Sequence, residues 1–194
     1  MIEVEERKQT KVNSGLHPLI QKRWSPRAFS EKKIEERELE VLFEAASWAP
    51  SANNEQPWQY VYALKGTPGY ENLWNCLMPG NQPWSKTAPV IFAALYRNTF
   101  KKNGMPNPWA AHDLGMANAQ LLLQAASSDI YGHLMAGFDE QKLREKLQLR
   151  DDVTPVCVGV LGYLGNAEKL DEPYRTREIK GRSRYGLNEF VQKV

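Results

Sequence analysis

The segment Arg23-Trp24-Ser25-Pro26-Arg27 places two guanidiniums and a hydroxyl at alternate positions. In an extended backbone alternate side chains point the same way, so all three can converge on one anion, and phosphate is the natural guest of such donors. The plainer reading is two solvated surface arginines beside a proline turn, and the segment alone does not decide between them. A second polar group stands in Pro50-Ser51-Ala52-Asn53-Asn54-Glu55-Gln56-Pro57-Trp58. Its amides and hydroxyl suit hydrogen bonding to a flat polar heterocycle. A capping or turn loop needs one Asn or Pro, whereas this one holds Asn53, Asn54 and Gln56 between two prolines, and Asn54 is the favoured contact. No acid, base or nucleophile stands out elsewhere. Cys76 and Cys157 are far apart with no C-x-x-C pairing and read as buried apolar residues. His17, His112 and His133 lack metal-ligand spacing, so no metal centre is expected.

The elements that must position these groups belong to one domain, residues 1–194, since 194 residues with 42% hydrophobic content suit a single core. Lys and Arg number 25 against 23 Asp and Glu, and a net charge of +2 gives no broad basic field for nucleic acid or an acidic membrane. Met1 to Thr10 is charged without an apolar leader, and no apolar run approaches the roughly 20 residues that span a bilayer. A soluble cytoplasmic protein is therefore expected.

Apolar periodicity predicts a helix over Ile34 to Trp48, ended by Ala49-Pro50, then a strand over Trp58 to Leu64. A short amphipathic helix follows through Tyr70, Leu73, Trp74 and Leu77. Ala88 to Tyr96 (APVIFAALY) reads as a central strand, and Arg97 to Pro108 as a loop that could cover a site. Ala110 to Asp129 is a long helix with small residues that allow close packing, Tyr131 to Met135 a short strand, and Asp139 the N-cap of a helix over Glu140 to Leu147. Pro155 to Tyr163 is another buried strand. The short links suggest a mixed sheet. Gly159, Gly162 and Gly165 have the spacing G-x-x-G-x-x-G, not that of a dinucleotide-binding turn, and read as relief of crowding where strand meets turn. The tail from Glu178 to Val194 is basic with an apolar end, Leu187, Phe190 and Val191, suited to packing on a second subunit.

In order, Arg-x-Ser-x-Arg-x-Phe (Arg23 to Phe29), a helix, and Ala-Pro-Ser-x-x-Asn-x-Gln-Pro-Trp (Ala49 to Trp58) resemble the N-terminal signature of the nitroreductase family. The resemblance continues through Gly80-Asn81, Ala88-Pro89-Val90, the helix from His112, Gly132 to Asp139 and Gly159 to Gly165, covering Leu16 to Val191. It implies an α+β sandwich with a central, mainly antiparallel sheet flanked by helices, and an intertwined homodimer with FMN at the interface. It also implies that Arg23, Ser25 and Arg27 hold the FMN phosphate and ribityl chain, with Arg182 and Arg184 completing the phosphate site. Pro50, Ser51 and Asn54 match a loop reaching the flavin from the partner subunit. Asn81 matches a polar residue at the pyrimidine edge, and Met135, Ala136 and Gly137 match the segment beside flavin N5. His133 is a candidate substrate contact, weighed against a structural hydrogen bonder.

The activity so implied is hydride transfer from NAD(P)H through flavin to a small organic acceptor such as a nitroaromatic or quinone, in a ping-pong sequence. A specialised flavin dehydrogenase of a biosynthetic substrate and a non-catalytic FMN-binding or sensing protein share the same motifs. Two departures bear on this. Some relatives carry Glu at the position of Ala136 and Lys at that of Trp84, and the chain is short over Arg97 to Pro108, which often shapes the acceptor pocket.

Overall fold

The computed structural model describes Lys8 and residues 15–194. Four strands, β1 (Trp58–Leu64), β2 (Val90–Arg97), β3 (Ile130–Met135) and β4 (Val153–Tyr163), form one sheet in the order β1-β2-β4-β3. Every pairing is antiparallel, which corrects the mixed sheet suggested by the short links. The reason is topological. A long helix carries the chain from β2 to β3 so that these two strands run in the same direction, but β4 inserts between them and reverses both contacts.

Around the sheet lie α1 (Pro18–Lys22), α2 (Glu36–Ser47), α3 (Pro68–Trp74), α4 (Gln82–Ser85), α5 (Ala110–Ser127), α6 (Glu140–Leu147) and α7 (Tyr174–Ile179). The helix expected from Ile34 starts two residues later because the Glu38 carboxylate accepts the Glu35 N–H at 2.9 Å and fixes the first turn there. Asp139 caps α6 as expected, accepting the Lys142 N–H at 3.0 Å. Strand β2 is buried on both faces, which explains its continuous apolar sequence. Ile91, Ala93 and Leu95 pack with Tyr70, Leu73, Trp84 and Phe29 on one side. Val90, Phe92 and Ala94 pack with Leu39 and Leu42 of α2 and Leu114 and Leu121 of α5 on the other.

The three late glycines mark close approaches. A Cβ on Gly159 would lie 2.4 Å from the Phe92 ring, one on Gly162 2.8 Å from Phe29 and Pro89, and one on Gly165 2.5 Å from the Phe29 backbone. They serve packing, and no parallel strand pair of the dinucleotide-binding kind exists among the described strands. The Arg97 to Pro108 segment is a small hairpin, with Thr99 bridged to Pro106, Phe100 N–H donating to Met105 O at 2.8 Å and Asn107 N–H to Asn98 O at 2.8 Å.

Candidate functional site

Along the arginine segment burial alternates as an extended chain requires. Trp24 and Pro26 are buried, while Arg23, Ser25 and Arg27 are half-buried and share the opposite side. Trp24 meets the Tyr131 ring edge-on at 6.2 Å, and the Pro26 carbonyl lies 2.8 Å from Nδ1 of His133. Downstream, Ser30 N–H donates to Tyr163 O at 2.9 Å and Gly165 N–H to Ala28 O at 2.8 Å, so the segment is stitched to the end of β4. Burial holds the Arg23, Arg27 and Arg182 guanidiniums below the usual arginine range. Arg184 adds repulsion to both Arg23 and Arg182, so these three form one electrostatic group. Arg27 instead sits in the field of Glu178 and Arg177, with its guanidinium 5.7 Å from the centre of the Trp84 ring. Like charges brought together and partly desolvated are an unfavourable arrangement that an anion would relieve.

The C-terminal stretch braces this segment. Glu178, in α7 and 1% exposed, accepts the Arg27 N–H at 2.8 Å on one carboxylate oxygen and the Ala28 N–H at 2.9 Å on the other. Arg182 donates from Nε to Lys8 O at 2.6 Å, from Nη1 to Arg23 O at 2.8 Å, and from Nη2 to Gln21 O. Among the described residues, three of its five N–H groups are thus taken by main-chain carbonyls.

Beside this segment runs the exit of β3. Asn81, half-buried, donates from its amide to Gly137 O at 3.0 Å, and Met78 N–H meets the same carbonyl at 3.0 Å. A Cβ on Gly137 would lie 2.9 Å from the Asn81 amide nitrogen, so glycine is what lets the two segments touch. Met135 is buried and Ala136 exposed, and neither the Ala136 nor the Gly137 N–H is used in a main-chain bond outside the sheet. Trp84 is 2% exposed, donates to Gly80 O at 3.2 Å and packs against His133 with ring centres 4.5 Å apart. It therefore presents no side chain where a lysine would reach outward. Burial, with a smaller contribution from Arg27, pushes the His133 pKa down to about 4. The ring is neutral near pH 7, with its Nδ1 proton directed at the Pro26 carbonyl, so the structure places it as a brace of the arginine segment.

The second polar loop lies elsewhere. Asn53 and Asn54 both have φ of +55° and Gln56 has +50°, left-handed conformations that Asn tolerates better than most residues. The loop is pinned by Ala52 N–H donating to Asp113 of α5 at 3.1 Å and Gln56 N–H to Ser51 Oγ at 3.0 Å. Glu55 binds Arg97 at 2.5 Å and the Lys101 N–H at 2.6 Å, tying the loop to the 97–108 hairpin. Pro50 and Asn54 are exposed. The register puts this loop and the Met135–Gly137 exit at the same end of the sheet but beyond opposite edge strands, β1 and β3. Three strand spacings separate those edges, about 14 Å at roughly 4.8 Å each. Within one chain Arg27 is linked through Trp84 to the Gly80-Asn81 turn and so to Gly137, while the Ser51 and Asn54 loop lies beyond the opposite edge of the sheet.

Sequence reasoning missed Glu178, Asp113 and the Glu55–Arg97 pair. Glu178 left one trace, being the single acid among Arg175, Arg177, Lys180, Arg182 and Arg184. Among the described residues no group of His, Cys, Asp and Glu could hold a metal ion, and no helix is long and apolar enough to cross a membrane.

Comparison with known proteins defines the class. The nitroreductase family model matches residues 20–75 and 71–163, and the chain belongs to that family. A solved structure described as an oxidoreductase containing FMN superposes with a TM-score of 0.86 at 29% identity, covering 96% of this chain and 98% of the other. A relative from Archaeoglobus fulgidus, provisionally named an NADH dehydrogenase/NAD(P)H nitroreductase, is 25% identical over 149 residues, 75% of this chain and 83% of that one. An uncharacterized 15.4 kDa protein of Mycolicibacterium smegmatis is 37% identical over 83 residues, 43% of this chain, and the match spans just over half, 56%, of its length.

Proposed function

We propose that this protein is an FMN-dependent oxidoreductase that takes hydride from NAD(P)H and delivers it to a small organic acceptor, a nitroaromatic, quinone or related compound, as a homodimer. The observation that carries this reading is the partly desolvated cluster of Arg23, Arg182 and Arg184, joined along the segment to Arg27, which Trp84 connects to the Gly80-Asn81 turn. The donor set fits FMN. Arg23, Ser25, Arg27 and Arg184 supply a phosphate with charge and hydrogen bonds, and Arg182 adds charge while it holds the Gln21 and Arg23 carbonyls. Asn81, oriented by Gly137, offers an amide edge to a flat heterocycle, and the Ala136 and Gly137 amides offer main-chain donors.

When bound, FMN supplies the two-electron chemistry, accepting hydride in one half-reaction and passing it to the acceptor in the other. The chain's own residues bind, orient and stabilise charge.

The dimer is supported by surfaces that lack cover among the described residues. Ala111, Gly115 and Ala119 line an exposed face of α5, and a Cβ on Gly115 would touch nothing within 4 Å. Tyr185, Leu187, Phe190 and Val191 are 58–80% exposed on the tail. A second copy covering these would also bring a Ser51 and Asn54 loop to the β3 side. The test is anaerobic titration of FMN-reconstituted protein with NADPH and, in parallel, NADH. Stoichiometric bleaching of the visible flavin band is expected. Flavin that binds but stays oxidised with both donors would replace this reading with a sensing role or another hydride donor.

A further inference from the structure

Glu178 is out of place electrostatically. A carboxylate beside a phosphate-binding segment repels the ligand, yet this one is almost fully buried and lies within the field of Arg27 and Lys8. Its geometry gives the reason. The two oxygens accept two successive main-chain amides, those of Arg27 and Ala28, at 2.8 and 2.9 Å. Arg27 is the last residue of the Arg-x-Ser-x-Arg run, and the same main chain is held at its other end by Arg182 on the carbonyls of Gln21 and Arg23. The C-terminal stretch therefore grips the segment at both ends, a carboxylate on its amides and a guanidinium on its carbonyls.

We propose that Glu178 is a positioning residue of the FMN site, fixing the main chain at Arg27 and Ala28 so that Arg23, Ser25 and Arg27 present their side chains together to the phosphate. This rests on the FMN reading above. The Glu178 carboxylate touches no phosphate itself. It fixes the bend at Arg27 that closes the run in which Trp24 and Pro26 turn inward and Arg23, Ser25 and Arg27 outward. Burial raises the Glu178 pKa against the opposing effect of both amides, Lys8 and Arg27, so desolvating the group is unfavourable in itself. The two charge-assisted bonds are the offsetting gain.

Two mutual alternatives give opposite signs. If Glu178 acted on FMN only through its charge, Glu178→Gln would tighten FMN binding by removing repulsion. If it positions the segment, Glu178→Gln turns an NH2 toward one of the two amides and loosens binding. Glu178→Asp keeps the charge but is one methylene too short to hold both amides, and should behave the same way. The experiment measures FMN and riboflavin affinity by flavin fluorescence quenching for wild type and both variants. FMN should weaken about tenfold in each, the equivalent of one lost hydrogen bond to a charged group, with riboflavin, which has no phosphate, little changed. FMN affinity that is unchanged or tighter, or riboflavin weakened in parallel, overturns the proposal. Amide exchange in the wild-type protein without flavin is the independent check. Arg27 and Ala28 should exchange slowly, and exchange at open-loop rates overturns the fork even where neither variant folds. Wild-type protein that binds no FMN while both amides stay protected would count against the FMN reading and leave the fork standing.

Discussion

The Glu55–Arg97 pair carries the sharpest stability prediction. Its side chains are only 11% and 12% exposed, and the Glu55 carboxylate also accepts the Lys101 N–H. Glu55→Ala would leave the guanidinium almost fully buried with the Thr99 carbonyl, 2.9 Å from Nε, as its remaining partner. Removing one member of a buried pair costs on the order of 3–5 kcal/mol, and the residual exposure puts this case near the lower end, about 3 kcal/mol. For a chain of this length each kcal/mol moves Tm by roughly 2–4 °C, so a fall of roughly 6–12 °C is expected by calorimetry. Arg97→Ala alone should also destabilise. The Glu55→Ala/Arg97→Ala double variant should be more stable than the sum of the singles allows, by at least about 1 kcal/mol. A loss below about 1 kcal/mol in Glu55→Ala, as for a solvated surface pair, or strict additivity in the double variant, would refute the reasoning.

Arg23→Ala should weaken FMN retention about tenfold or more, by loss of a charged hydrogen bond; unchanged retention on gel filtration would remove Arg23 from the site. His133 titrates in the fold at about 4 against 6.5 for its ordinary value. Its lowered pKa means the native state binds fewer protons between those values, so its contribution is fully present above pH 6.5 and is lost as pH falls toward 4. That loss is as much as about 3 kcal/mol by linkage. His133→Gln should flatten this part of the curve of urea stability against pH, and an identical slope in the variant would exclude the histidine as its source. Gly159→Ala should destabilise by about 1–3 kcal/mol through overpacking on the Phe92 ring, and a neutral effect in urea denaturation would show that the ring gives way. Initial rates with donor and acceptor varied should give parallel double-reciprocal lines, and converging lines would require both substrates to be bound at once.

The parts of this molecule legible in its sequence are those set by local periodicity. APVIFAALY announces a strand buried on both faces, and the alternation of Arg23, Ser25 and Arg27 against Trp24 and Pro26 appears directly as alternating burial. The sheet order was not legible, because the insertion of β4 between β2 and β3 depends on contacts between distant strands. The same holds for Glu178, which pairs with amides 150 and 151 residues upstream. In a basic stretch such a residue looks solvated, and only the fold shows it to be almost fully buried. Trp84 and His133 were legible as residues near the site but not as a pair of rings in contact, since that contact joins α4 to β3.

The grip of α7 and Arg182 on residues 21–28 bears on how the molecule can come apart locally. The carboxylate and guanidinium that set this main chain lie 150 to 161 residues further along the sequence, so the segment takes its form only once both regions have met. Loss of the 174–184 contacts alone would release the segment, because the sheet's own pairings involve none of those residues. A fusion or truncation that disturbs residues 174–184 would therefore loosen residues 21–28 while leaving the sheet intact.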